Sequence, residues 1–198
     1  MGERHRLEEP AHAARRNRRK TSERGVDLSG AGVFKAGLEL GGPSVDAQAT
    51  EKLALPDRPM HARAGAAHAG WKGAFTGIIE ATVGAMERLG AARGRIVAAL
   101  GPLIRQPSYE VSADFVARFA AADPANQRFF APATRAGHAL FDLPGYIAMR
   151  ATRAGIAALE DLECCTYADP ARFFSYRRST HQAEADYGRH VNAIAIVE

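Results

Sequence analysis

Cysteine is nearly absent from this chain, with two in 198 residues, the adjacent Cys164 and Cys165. Neighbours in sequence rarely bridge each other, and two thiols make no disulfide framework, so the usage points to a reducing compartment. No apolar run approaches the length that spans a bilayer. The N-terminus is basic but lacks the apolar core of a secretory signal, so the chain is expected to be cytoplasmic, with no membrane partner. Charge of one sign is lacking too where it would count. The chain's net charge is +4, yet residues 1–24 hold eight Lys/Arg against four Glu, a net of +4 within that stretch alone. The remaining residues carry 18 charges of each sign, which excludes any overall bias toward nucleic acid. There is also no HxxxH pair and no cysteine before position 164. No single stretch therefore supplies several metal ligands.

What is present is the make-up of an ordinary globular protein, 46% apolar and 24% charged. The length suits one sizeable core with or without an appendage. Residues 1–24 read as a disordered basic tail. Residues 25–62 are poorly defined. Val33, Phe34, Leu38 and Leu40 suit a short strand or hairpin arm, and Gly41-Gly42-Pro43 breaks whatever precedes it. From 64 to 198 apolar runs and helical periodicity alternate, which reads as an α/β domain. Strands are expected over 63–67, 95–100, 159–166 and 190–197. Phe75, Ile78, Ile79, Val83, Met86 and Leu89 recur at helical spacing and predict one helix over 73–91. Ser112 suits an N-cap for a helix to about residue 122. Pro144 suits the first turn of another helix, closing at Gly155.

His68-Ala69-Gly70-Trp71-Lys72-Gly73 sits where the first of these strands gives way to a helix. An imidazole there can ligate a metal or act as general acid/base, although a strand-end histidine bonded into a tight turn reads the same way. The 101–111 loop offers Gln106, Ser108 and Tyr109, neutral groups able to read a heterocycle, or else simple proline-stiffened turn chemistry. Residues 169–178 pair aromatics with Arg177 and Arg178, whose guanidinium forks bind phosphate or carboxylate. The alternative puts Phe173 and Phe174 in the core and sets an arginine against Asp169. His138, His181 and His190 read as surface residues, and the two thiols as one buried small side chain with its neighbour turned away.

Four ordered stretches carry a family resemblance: 66–73, the Gly101-Pro102…Tyr109-Glu110-Val111 loop, Phe141-Asp142-Leu143-Pro144, and the run from Cys165-Thr166-Tyr167 to Arg177-Arg178. Together they resemble the YfiH-type family, also called the laccase-domain or polyphenol-oxidase family and associated with purine nucleoside phosphorylase activity. The resemblance implies a layered α/β/β/α fold akin to the catalytic domain of cytotoxic necrotising factor. It implies phosphorolysis of adenosine, inosine and methylthioadenosine, with adenosine deaminase side activity and with purine nucleoside and phosphate as the partners bound. It also implies zinc or copper held by two histidines and a cysteine, of which His68 would be the last.

The family's Val-His-Gly-like and Asp-Cys-Pro-like segments, which carry the other two ligands, have no counterpart here. The N-terminal part is thus expected to be missing or divergent, and residues before about 63 to be a mis-started or frame-shifted reading. Zinc or copper is expected to be weakly held and activity impaired. His68 is the expected catalytic and metal-binding residue, and Lys72, Gln106, Tyr109, Arg177 and Arg178 the expected substrate and phosphate contacts. The rival readings are a copper-dependent polyphenol oxidase and a degenerate, non-catalytic family member. Oligomeric state is not legible.

Overall fold

The computed structural model describes residues 33–36, 48–51, 63–190 and 194 of the chain. Its centre is a five-stranded sheet of β1 (Val33–Ala36), β2 (Gln48–Glu51), β3 (Arg63–Ala66), β4 (Val97–Leu100) and β8 (Ala158–Asp161), in the order β2-β3-β1-β4-β8. Four of these strands are mutually parallel. β1 pairs in parallel with β3 and β4, and β4 with β8, while β2 runs antiparallel to β3 at the edge. A second, antiparallel sheet takes β5 (Glu110–Ser112), β6 (Phe130–Pro132) and β7 (His138–Phe141) in the order β5-β7-β6. With the helices packed on them, the two sheets form the α/β arrangement that the resemblance implies.

Where 73–91 reads as one helix, the structure has two, α1 (Trp71–Thr76) and α2 (Ile78–Arg88). The break is Gly77, which sits at φ +98° and donates its N–H to Gly73 O. Spacing hides such a break because the apolar residues on both sides still face inward. On α2, Ile78, Ile79, Val83 and Met86 are buried. Helix α3 (Ala113–Ala122) starts after Ser112, whose side chain makes no capping bond. Helix α4 (Leu143–Arg153) has Pro144 in its first turn, Asp142 accepting from Gly145 N, and Gly155 at φ +75° just past its end. Pro144 and Gly155 stand where the sequence pattern anticipates them, while the Asp142 cap was not anticipated.

The expected strand over 159–166 is shorter, because Asp161 is held by a side-chain partner and Glu163 takes φ +52°. The 129–141 stretch, to which the sequence pattern assigns neither helix nor strand, contributes β6 and β7. Three- and four-residue strands are too short to show alternation. Strand β1 begins at the expected Val33, and β2 was not anticipated. Of the expected C-terminal strand, 191–193 and 195–198 lie outside the described residues, as does the basic tail.

The chain's aromatics concentrate between α3 and the smaller sheet. Phe119 and Phe141 are fully buried with ring centroids 4.9 Å apart, and Phe115, Phe130 and Tyr146 each lie within 6.0 Å of Phe141. Phe75 of α1 packs on Phe119 at 4.7 Å and ties the helix after His68 to this cluster. Arg150 of α4 pairs with Glu80 of α2 and donates to Phe75 O at 3.1 Å, which fixes α1, α2 and α4 to one another. Among the described residues no helix is long and apolar enough to cross a membrane.

A Cβ at Gly77 would find only ordinary contacts, with Arg150 Nη2 at 3.5 Å and Glu80 Oε2 at 3.7 Å. The cost of Gly77→Ala is therefore conformational. It should lower unfolding stability by about 1–2 kcal/mol, read as a fall in urea midpoint at unchanged slope; an unchanged midpoint would show that the turn relaxes.

Candidate functional site

Because β3, β1, β4 and β8 run the same way, their carboxyl ends share one edge of the sheet. In open parallel sheets that edge is where ligands sit. His68 lies two residues beyond the end of β3, the 101–111 loop leaves β4, and Cys164 and Cys165 follow the end of β8.

Ala67 and Ala69 are buried on either side of His68 and fix its backbone, while the imidazole is half-buried. Burial pushes its pKa down, so the ring is neutral near pH 7 and keeps a lone pair. Trp71 opens α1 with Phe115 edge-on at 5.0 Å and the Arg118 guanidinium 5.4 Å above it. Lys72, next to it, is exposed.

The loop after β4 is anchored by the buried Leu103 and Ile104. Leu103 forms a parallel bridge with Cys165, donating its N–H to Cys164 O and accepting from Thr166 N. Arg105 grips the Asp161 carboxylate with both terminal nitrogens, one of them at 2.8 Å. Gln106 donates Nε2–H to Leu140 O at 3.2 Å. Tyr109 is only 2% exposed and carries the Arg177 guanidinium over its ring at 5.0 Å.

The two neighbouring arginines do different work. Arg177 donates to Glu110 O at 2.6 Å. Arg178 spends its guanidinium on three backbone carbonyls, Thr166 O, Tyr167 O and Phe173 O, at 2.7, 2.8 and 2.5 Å. Together they strap the 164–175 loop to the 101–111 loop. Asp169 pairs with Arg172, not with either of them. Phe173 is half-buried and Phe174 is 53% exposed, so the reading that puts both rings in the core fails.

The thiols also differ from expectation, since neither is buried. Burial alone would raise the Cys165 thiol pKa, but N–H groups of Ala168, Arg105 and Tyr167 and the Ser108 hydroxyl outweigh it and hold the pKa below the ordinary value. Nothing in the local sequence signals this; only the position at a strand end hints at it. His138 and His181 are at the surface side, with His181 Nδ1 2.9 Å from Tyr167 OH. His190 takes a structural part, its Nε2 accepting from Phe174 N at 2.9 Å.

Thus the structure brings Gln106, Tyr109 and Arg177 together and links them to Trp71 through Phe115, whose ring lies 6.5 Å from that of Tyr109. As for a metal, no group of three or more His, Cys, Asp or Glu side chains among the described residues is placed to share one. His68 alone is not the donor set of a structural or catalytic centre.

Residues 54–197 match the family model described as multi-copper polyphenol oxidoreductase laccase. The chain is similar to proteins named purine nucleoside phosphorylase. That of Rickettsia conorii is 37% identical over 120 residues, covering 61% of this chain and 49% of the relative. That of Rickettsia prowazekii is 34% identical over 132 residues, covering 67% and 54%. That of Deinococcus radiodurans is 43% identical over 122 residues, covering 60% and 44%. Among solved structures it resembles the Bacillus licheniformis hypothetical protein YfiH, with TM-score 0.51, 25% identity and coverage of 69% and 49%. It also resembles a Neisseria meningitidis protein, with TM-score 0.50, 29% identity and coverage of 59% and 45%. The chain spans about half the length of the curated relatives it matches.

Replacing Arg178 by Gln strands three carbonyls and should cost about 1–3 kcal/mol, with faster amide exchange across 165–173; Arg177→Gln should leave that exchange close to the parent rate. A second expectation concerns acid. Burial and the nearby Arg178 charge push the His190 pKa below its ordinary 6.5, so the stability tied to its neutral form is complete above that value and lost as pH falls through the lower, folded-state pKa. The thermal midpoint should therefore drop below pH 6.5, and His190→Gln should flatten that fall in part, His68 sharing its direction. An unflattened profile would remove His190 from the account.

Proposed function

The chain belongs to the multi-copper polyphenol oxidoreductase laccase family, the YfiH-type proteins, and on that premise we propose that it is a purine nucleoside phosphorylase of impaired turnover. Its working groups lie within 64–198, it acts on adenosine, inosine and methylthioadenosine, and it deaminates adenosine as a side reaction. What supports this reading is that His68 and the 101–111 loop both follow carboxyl ends of parallel strands in one sheet, in a chain 34–43% identical over 120–132 residues to relatives that bear the phosphorylase name.

In phosphorolysis a phosphate oxygen bonds to C1′ of the ribose, the bond from C1′ to the purine breaks, and the departing base takes up a proton. His68 relays that proton, taking it as a neutral base from the attacking hydrogen phosphate and passing it to the departing base, for which an imidazole kept neutral by burial is suited. Gln106, with Nε2 committed to Leu140 O, keeps its Oε1 acceptor for the base. Arg177 and Lys72 hold phosphate. Arg177 is oriented for this by the ring of Tyr109, which acts from beneath. Arg178, proposed from the motif as a further phosphate contact, acts here by holding the 166–173 loop through three backbone carbonyls.

Zinc or copper would be held weakly by this chain, since the described residues bring no three ligands together, and no step is derived through a metal. One feature favours the impaired form of the reading: among the described residues no group of three or more His, Cys, Asp or Glu is placed to hold a metal. The family description also names a copper oxidase. That chemistry needs several histidine or cysteine ligands per ion, which the described residues do not bring together.

The test is release of free base from inosine and adenosine by the purified chain, with and without phosphate. Slow, phosphate-dependent release that falls at least tenfold in His68→Ala is expected. Oxygen uptake with a phenol and no base release would favour the oxidase instead, and silence in both assays a non-catalytic relative.

A further inference from the structure

Gly70 has no conformational reason to be a glycine. Its φ of −61° and ψ of 171° are open to any residue. It occupies the N-cap of α1, a position that takes glycine but favours Ser, Asp or Asn over it, and α1 has no side-chain capping bond. What glycine supplies here is space. A Cβ built at residue 70 would lie 2.9 Å from His68 Nε2, 3.7 Å from Cε1 and 3.8 Å from Cδ2. The imidazole thus lies against the bare α-carbon of the residue two places on.

The backbone around this contact is held on both sides. Ala67 and Ala69 are buried. Ala74 N donates to Gly70 O at 2.9 Å, and Trp71 is held by Phe115 and Arg118. A side chain at residue 70 therefore cannot be met by moving the chain, and the imidazole has to swing. We propose that Gly70 is a positioning residue for His68, its missing side chain being the slot that sets the direction of the imidazole at the carboxyl edge of the sheet. The inference rests on the reading of His68 as the proton-handling group, and its test separates the two.

Gly70→Ala and Gly70→Ser place the same Cβ in the slot, but serine restores the missing cap. In the full chain labelled with ¹³C-histidine and held at one pH, the His68 signal is assigned by its loss in His68→Ala. Both Gly70 variants should move that signal from its parent position, whereas thermal stability should fall for alanine and recover for serine. If capping were the whole role, serine would restore the signal as well, and that result overturns the proposal. The double variant His68→Ala/Gly70→Ala gives an independent reading, including the case in which Gly70→Ala alone fails to fold. With the slot emptied, Gly70→Ala should lower the midpoint less than it does in the parent, by no more than an alanine cap costs relative to glycine, and fully additive losses or a double variant that fails to fold overturn the proposal. In base release, both Gly70 variants should lose tenfold or more in kcat with KM within about twofold. A parent without activity, or a His68→Ala chain as active as the parent, sinks the phosphorylase reading but leaves the imidazole shift and the cycle to decide the role of Gly70.

Discussion

Parallel pairing is the constraint on which the rest depends. Strands β3, β1, β4 and β8 run in one direction, so everything that leaves their carboxyl ends must gather along one edge. The chain puts its unusual residues there. The His68 segment leaves β3, the proline-bearing loop leaves β4, and the paired thiols follow β8. A backbone geometry fixed by hydrogen bonds thereby brings together stretches some 35 and 60 residues apart. None of these stretches has a local partner for its chemistry.

Proximity to an edge does not give rigidity, and two other interactions supply it. The first is aromatic. Phe75 packs on Phe119, Trp71 on Phe115, and Phe115 on Tyr109, so the helix that follows His68 and the loop that holds Gln106 lean on the same buried rings. Such pairs contribute about 0.5–1.5 kcal/mol each beyond area burial, and a rigid ring transmits position better than an aliphatic chain. The second is the division of labour between Arg177 and Arg178. A guanidinium that donates to three carbonyls has its charge screened by their dipoles and serves as a staple. Its neighbour, donating to one carbonyl and lying over a ring, retains donors for an anion.

How much of this was legible in the sequence follows from what kind of signal each feature leaves. The apolar periodicity of 78–86 and Pro144 in the first turn of α4 are local rules with local causes, and the structure has them where the pattern puts them. Gly77 left no trace in the period, because a break with φ above zero changes the helix axis without changing which residues face inward. The split between Arg177 and Arg178 was invisible for a different reason. Both read as phosphate ligands until the carbonyls of Thr166, Tyr167 and Phe173 are seen to surround one of them. The N–H groups around Cys165 come from three loop residues whose side chains are irrelevant to the effect, so no residue pattern encodes them. The 129–141 stretch failed on length, since strands of three or four residues carry less than one full alternation on each face.

Metal binding and proton handling ask opposite things of position 68. A metal centre needs several donors converging, and each ligand is oriented chiefly by the ion and its second-sphere partners. An imidazole that handles a proton has to be oriented by the protein through its own contacts. The packing of the His68 ring on the bare α-carbon of Gly70, between two buried alanines, is contact of that sort. The same slot would also serve an ion-bound histidine by removing rotamers that the ion would otherwise have to exclude. The orientation of His68 is therefore a property of the 67–71 backbone. The contact with Gly70 is there whether the ring handles a proton or ligates an ion.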